Sequence, residues 1–288
     1  MTDEGLADER GVRPRTLRAH SPRVAAAKAR RWGAFYYAEQ VLRVMKNYRW
    51  SMLMYSVGQP VAYLFAMGVG LATLVDAQGA AAFGGVSYLT FIAPALLVSA
   101  AVMTAANEFT FPVMAGFKWR RTYFGPHASP LAPAQIAAGH IMAVTLRLFL
   151  QSAIYLAAVT LFGASPHGSA WLSILVATLA GLSFGLPLMA YSASLTEDKG
   201  QFALVMRLVV MPLFLFSGTF FPLDTLPPAV RWIGWISPIW HGTELGRVVS
   251  YGYREPVLLT LVHVAVLAGL AVAGWVLTRR RFEKRMGQ

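Results

Sequence analysis

The chain has 288 residues, 56% hydrophobic and only 13% charged, with 25 Lys and Arg against 13 Asp and Glu and no Cys. A soluble domain carries about 25% charged residues, so this chain cannot cover a water-facing surface and reads as an all-α integral membrane protein. The absence of Cys excludes disulfides, thiolate metal sites and thiol nucleophiles, and the formal charge of +12 sits in the tails and one loop beside apolar spans, which fits the positive-inside rule better than nucleic-acid binding.

Residues 1–23 are small, charged and Arg-rich, and predict a disordered tail. No cleavable signal peptide is visible, because about fifty residues precede the first apolar run. Over residues 24–50, Ala34, Tyr37, Ala38, Val41, Met45 and Tyr48 recur at three- and four-residue steps, while Glu39, Arg43 and Lys46 fall on another face. This pattern predicts an amphipathic helix lying in the membrane interface.

Six spans are predicted within residues 51–278. Span one, 51–75, is interrupted by Gln59-Pro60, and a short loop at 76–85 lacks Lys and Arg. Span two, 86–113, carries Asn107-Glu108 near its end. A basic loop follows at 114–133. Span three covers 134–162, and a second loop without Lys or Arg covers 163–169. Span four, 170–195, carries Ala177, Gly181 and Gly185 four apart, which permits close helix approach. A tight charged turn at 196–200 leads to span five, 201–221. Span six, 257–278, is stopped by Arg279-Arg280-Arg281 and Lys284-Arg285, leaving 279–288 as a basic tail. Twenty of the 25 Lys and Arg lie before residue 50, in the 114–133 loop, in the 196–200 turn or after residue 278, and only Arg231, Arg247 and Arg254 lie on the other side. That bias puts both termini in the cytoplasm of a multi-pass cell-membrane protein.

Between spans five and six the chain breaks at Phe220-Phe221-Pro222 and restarts twice. Thr225 is a cap candidate for a short helix opening on Pro227-Pro228, and Ser237-Pro238 repeats the signal. Two short, Trp-rich helices between apolar segments suit a re-entrant excursion that leaves no backbone group exposed to lipid. His241, Glu244 and Arg247 fall three apart on one face and suit an ion-pair and hydrogen-bond cluster; two ligands in H-x-x-E are too few for a metal site.

Two charges stand inside spans. Glu108 is costly there unless paired or wet. Arg147 lies about 20 Å into span three at 1.5 Å per residue, and should face other helices, a carboxylate or a wet cavity. No phosphate-cradling G-x-x-x-x-G-K-[ST] loop is present, so the energy for any transport must come from a partner or an ion gradient.

The stretch S-G-x-F-F-P-x-x-x-L-P, a Trp/Ile-rich segment, then S-P and H-G-x-E-L-x-R resembles the C-terminal signature of ABC-2 type permeases, the membrane subunits of ABC exporters, in the nodulation-factor and drug-exporter branch. The matching residues are Ser217, Gly218, Phe220, Phe221, Pro222, Leu226, Pro227, Pro238, His241, Glu244 and Arg247. A second run, N-E-F, a basic aromatic segment and S-P-L-x-P followed by Gly139, resembles the family's coupling-helix region. The resemblance implies that Glu108, Lys118, Trp119, Arg120, Arg121, Tyr123 and Phe124 dock into an ABC ATPase subunit. It also implies that Gly218, Phe220, Phe221, Pro222, His241, Glu244 and Arg247 form an outer re-entrant gate. Two ATPase copies and a second copy of this chain in membrane lipid complete the implied assembly. ATP and Mg would be bound only by the ATPase, with no cofactor, catalytic residue or nucleic acid in this chain. The implied cargo is amphipathic, a drug, lipid or glycolipid, with a polysaccharide or lipo-oligosaccharide as the alternative. A stand-alone secondary transporter would need several intramembrane carboxylates, and Glu108 is the only clear one.

Overall fold

The computed structural model of the protein describes residues 22–66, 70, 83 and 85–287. The predicted tail before Pro22, the end of span one and most of the 76–85 loop lie outside the described residues. Every regular element among the described residues is helical, with no strand.

Helix α1 (Pro22–Lys46) leads through a tight elbow to α2 (Arg49–Leu53), a π turn (Met54–Gly58) and α3 (Gln59–Phe65). Proline explains the π turn: Pro60 has no N–H for its helical partner, and the backbone widens in the turn before it. Helix α4 (Tyr88–Glu108) is capped by Ser87, whose Oγ accepts from the Thr90 N–H at 3.3 Å, and is buried almost throughout. After α4 come α5 (Phe111–Met114), a second π turn (Ala115–Trp119), α6 (Phe124–His127), α7 (Pro133–Leu161) and α8 (Leu172–Ser194). Helix α9 (Gln201–Phe216) precedes α10 (Pro228–Trp235), α11 (Pro238–Tyr251) and α12 (Val257–Met286).

Among the described residues, four stretches are long and apolar enough to cross a membrane: Tyr88–Trp119, Pro133–Leu161, Leu172–Ser194 and Val257–Met286. Helix α9 was expected to reach residue 221 but ends at Phe216, where the chain turns through Gly218 at φ +72°. Its length of about 24 Å falls short of a hydrocarbon core about 30 Å thick. It too contains a π turn (Met206–Val210) ahead of a proline, Pro212.

Packing follows the small residues. Gly181 and Gly185 let α8 close on α4, since a Cβ at Gly185 would meet the Phe109 ring at 2.4 Å and one at Gly181 would meet the Ala101 carbonyl oxygen at 3.1 Å. Gly139 brings α1 onto α7, where an added Cβ would sit 2.5 Å from the Ala34 carbonyl oxygen. Tyr37 and Ala38 are buried, and Gln135 donates to the Arg30 carbonyl at 2.7 Å. The apolar face of α1 is therefore partly taken up by protein, while Trp32, Phe35, Tyr36 and Val44 stay exposed on its other side.

One local expectation needs correction. Thr225 does not cap α10: its hydroxyl donates to the Pro222 carbonyl at 2.7 Å and closes a 3-10 turn, so the helix starts from Pro227. Beyond the end of predicted span six at residue 278, α12 continues as helix to Met286. Arg is a good helix former, Arg279 pairs with Glu283 at 2.8 Å, and Phe282 and Met286 are buried.

Candidate functional site

The basic loop is a compact corner. The π turn ends at Trp119, and the Arg120 and Arg121 N–H groups both donate to the Ala115 carbonyl, at 2.8 and 3.1 Å. Arg121 then takes φ +53°, a left-handed conformation uncommon for a side chain of its size, and the next helix is the single turn α6. Tyr123 is turned inward, only 1% exposed, and cannot present its ring at the surface as expected. It lies across Gly116, where an added Cβ would be 2.2 Å from the ring, against Phe117 and Phe282, and its hydroxyl shares a 2.9 Å hydrogen bond with His140 Nδ1. Burial pushes the Tyr123 phenol well above its ordinary pKa, so it stays protonated.

With Tyr123 inside, the outward face of the corner is Lys118, Trp119, Arg120, Arg121 and Phe124. Trp119 is 51% exposed and stacks on Phe111. Lys118 lies 3.8 Å from Glu197, which ties the corner to the 196–200 turn. Arg285, near the end of α12, stands over the Phe117 ring at 4.2 Å and donates to the Ala193 carbonyl. Beneath the corner, Glu108 and Arg147 form an ion pair with each other, both largely buried. The two intramembrane charges singled out separately in the sequence are therefore partners.

At the other end of the bundle, Arg247 is 2% exposed and organises the turn after α9. It donates to Glu244 at 2.7 Å and to the Gly218 carbonyl at 2.6 Å, and stands 3.8 Å over the Phe91 ring. The Ser217 hydroxyl donates to Ser237 Oγ at 2.6 Å, and the same oxygen accepts the Ile239 N–H, so Ser237 caps α11 as expected. Phe220 packs near Tyr63 of α3 and Phe214 of α9, whereas Phe221 is half-exposed. Together, Ser217, Gly218, Ser237, Glu244 and Arg247 clamp the break in the chain. A profile of the ABC-2 type transporter family matches residues 39–251, which spans both this clamp and the basic corner.

The chain belongs to the ABC-2 type transporter family. Similar proteins include Nodulation protein J of Rhizobium leguminosarum bv. viciae, 25% identical over 235 residues covering 80% of this chain and 86% of that protein. Nodulation protein J of Rhizobium meliloti (strain 1021) is 25% identical over 264 residues, 91% of this chain and 97% of that one. ABC-2 members are membrane permeases, and the family implies an ABC ATPase partner.

In this ABC-2 chain His241 does not join Glu244 and Arg247. Its Nδ1 lies 2.6 Å from Nδ1 of His263 on α12, and its Nε2 lies 3.0 Å from the Trp235 carbonyl. A carbonyl only accepts, so His241 Nε2 carries a proton. His263 Nε2 faces Glu255 at 3.4 Å. His263 Nε2 has no hydrogen-bond partner among the described residues, so the run of hydrogen bonds ends there. The 2.6 Å separation leaves no room for a metal between the rings, since each Zn–N bond alone needs about 2.0 Å. Next to this run lies a cavity of about 460 Å³ lined by Phe83, Trp235, Trp240, Tyr251, Tyr253 and Glu244 among others. Sequence reasoning missed His140, His263, Glu255 and Phe282, because each acts across elements. The one available signal was His140 directly after Gly139.

Proposed function

We propose that this chain is the six-span membrane subunit of an ATP-driven exporter, working as a pair of copies with two ATPase subunits, and moving an amphipathic molecule out of the cytoplasm or inner leaflet. In this reading both termini are cytoplasmic, α1 lies in the interface, the corner at Lys118–Phe124 receives the ATPase, and α10 and α11 form an outer re-entrant gate. The observation that carries it is the corner itself: an exposed Trp, two exposed Arg and a half-exposed Phe, mounted on a buried Tyr. Exposed Trp and Arg on a fixed support are what interface hot spots are built from. Lys118, Arg120, Arg121, Arg279, Arg280 and Arg281 gather at that end, which supports the cytoplasmic assignment.

The test is to purify the chain with candidate ATPases, reconstitute the complex, and measure hydrolysis as single lipids, glycolipids and drugs are added. A severalfold stimulation by one amphipathic class is expected. Hydrolysis that ignores every such compound, in a complex that does assemble, would refute the exporter reading. A second reading, a lipo-oligosaccharide cargo, is favoured by the aromatic walls of the 460 Å³ cavity, because aromatic faces also stack on sugars. Stimulation by glycan-bearing lipids alone would select it.

A further inference from the structure

The elbow between α1 and α2 forms one side of a groove of about 250 Å³ whose other side is α7. Its walls are apolar, with Leu42, Met52, Val57 and Ile154 among them. Three cations also line it, Lys46, Arg49 and Arg147, and no carboxylate does among the described residues. Arg147 is balanced by Glu108 from behind, whereas no described carboxylate lies within ion-pair distance of Lys46 or Arg49. Gln151, 5% exposed, adds a carbonyl oxygen without a hydrogen-bond partner. The groove continues onto the outer face of α7, where Leu146, Leu150 and Ile154 are each 43–52% exposed.

We propose that this groove binds an anionic phospholipid, its phosphate on Lys46 and Arg49 and its first methylenes along Met52 and Ile154. A free phosphate would match the cations but leave the apolar walls against water, and a zwitterionic lipid would bring a second cation to a site that already has three. An anion bearing an acyl chain satisfies both halves. A headgroup hydroxyl would supply a donor for Gln151. The site is separate from the outer cavity and from the exported cargo. It draws on the proposed function only in placing the elbow at the cytoplasmic leaflet, where anionic lipids present their phosphates to basic segments.

Binding is read without transport. The full chain in neutral detergent is titrated with phosphatidylglycerol or with phosphatidylcholine of the same acyl chains, and bound lipid is counted by native mass spectrometry. Phosphatidylglycerol should be retained at lower concentration. Lys46→Gln with Arg49→Gln should weaken it about thirtyfold, at roughly fivefold per cation, and leave phosphatidylcholine unchanged. Ile154→Trp, a change at a half-exposed position, should weaken binding by filling the groove with no change in charge. Arg280→Gln with Arg281→Gln, on the exposed end of α12, should have no effect. Equal retention of both lipids would overturn the site, as would indifference to both groove variants, an equal loss in the α12 control, or competition by soluble glycerol phosphate as strong as by the lipid. Because the assay involves no ATPase and no cargo, a failed export assay leaves this outcome untouched.

Discussion

Arg247 is the residue on which the turn after α9 depends. Its guanidinium reaches Glu244, the Gly218 carbonyl and the face of Phe91, its Nε has no hydrogen-bond partner among the described residues, and water does not reach it. Removing one member of a buried pair leaves the other charge without compensation, which costs about 3–5 kcal/mol. Arg247→Met should therefore lower the thermal midpoint of the purified protein sharply. Glu244→Leu combined with Arg247→Met should recover much of that loss, since a well-packed apolar pair can match a buried ionic one. Thermal unfolding in detergent gives the comparison, and a double variant no better than the single would show that the Gly218 and Phe91 contacts carry the stability instead. At this scale the sequence announced which residues matter more clearly than what they touch. Glu244 and Arg247 pair as their three-residue spacing implied, because a helix turn fixes that contact locally. His241, on the same face, finds its partner 22 positions away on α12, and no spacing rule reaches that far. Glu108 and Arg147 were each marked by the cost of a charge within a span, but their pairing depends on how α4 and α7 pack.

Among the elements, the corner after α4 separates support from surface. Trp119 and Phe124 face out, while Tyr123 and Gly116 interlock beneath them. Trp119→Ala with Phe124→Ala should leave folding intact and weaken association with the ATPase by about 2 kcal/mol or more, the range of interface hot spots. Gly116→Ala should act differently. The new methyl would overlap the Tyr123 ring, and overpacking of this kind costs about 1–3 kcal/mol, so the thermal midpoint should fall along with ATPase binding. Co-purification and unfolding measured on the same preparations separate the two; a Trp119/Phe124 variant that retains full ATPase binding would remove the corner as the contact. Element boundaries were legible where Pro and Ser mark them, as at Ser237-Pro238. They were not legible where tertiary contacts decide. Nothing in the run Arg279–Arg285 says that Phe282 will be buried under Tyr123 and hold the helix in register to Met286. The inward turn of Tyr123 depends on a glycine seven positions earlier, a relation that composition and periodicity do not encode.

For the whole molecule, the orientation is the most general claim and the easiest to test, because the native chain has no Cys. Single cysteines at Gly168 and Thr225, both exposed at the end that carries the clamp, should react with an impermeant thiol reagent added to intact cells. Cysteines at Ser129 and Arg280, exposed at the basic end, should react only after the membrane is opened. Labelling of Ser129 from outside would invert the molecule and remove the corner from the cytoplasm. The charge bias and the apolar lengths made the membrane class plain from composition alone. The short α9 was hidden, because apolar residues resume at Phe220-Phe221 just beyond the point where Gly218 turns the chain.

Helix α12 has a mechanical consequence. It is a single rod without proline from Val257 to Met286, and it touches both ends of the protein: His263 meets His241 beside the clamp, and Phe282 meets Tyr123 under the corner. The two contacts are 19 residues apart, so the rod spans about 29 Å between them. In the proposed exporter, a push on the corner would have no hinge along this rod in which to dissipate, and would reach the clamp end as a shift or a twist. The phase of the rod then matters more than its composition. One alanine inserted after Leu270 would rotate one end about 100° against the other, so that His263 and Phe282 could not both engage. Four inserted residues would nearly restore the angle while lengthening the rod by about 6 Å. Cargo-stimulated hydrolysis should be lost on the single insertion and partly return with four. A protein that works equally well after one insertion would show that its two ends communicate by some other route.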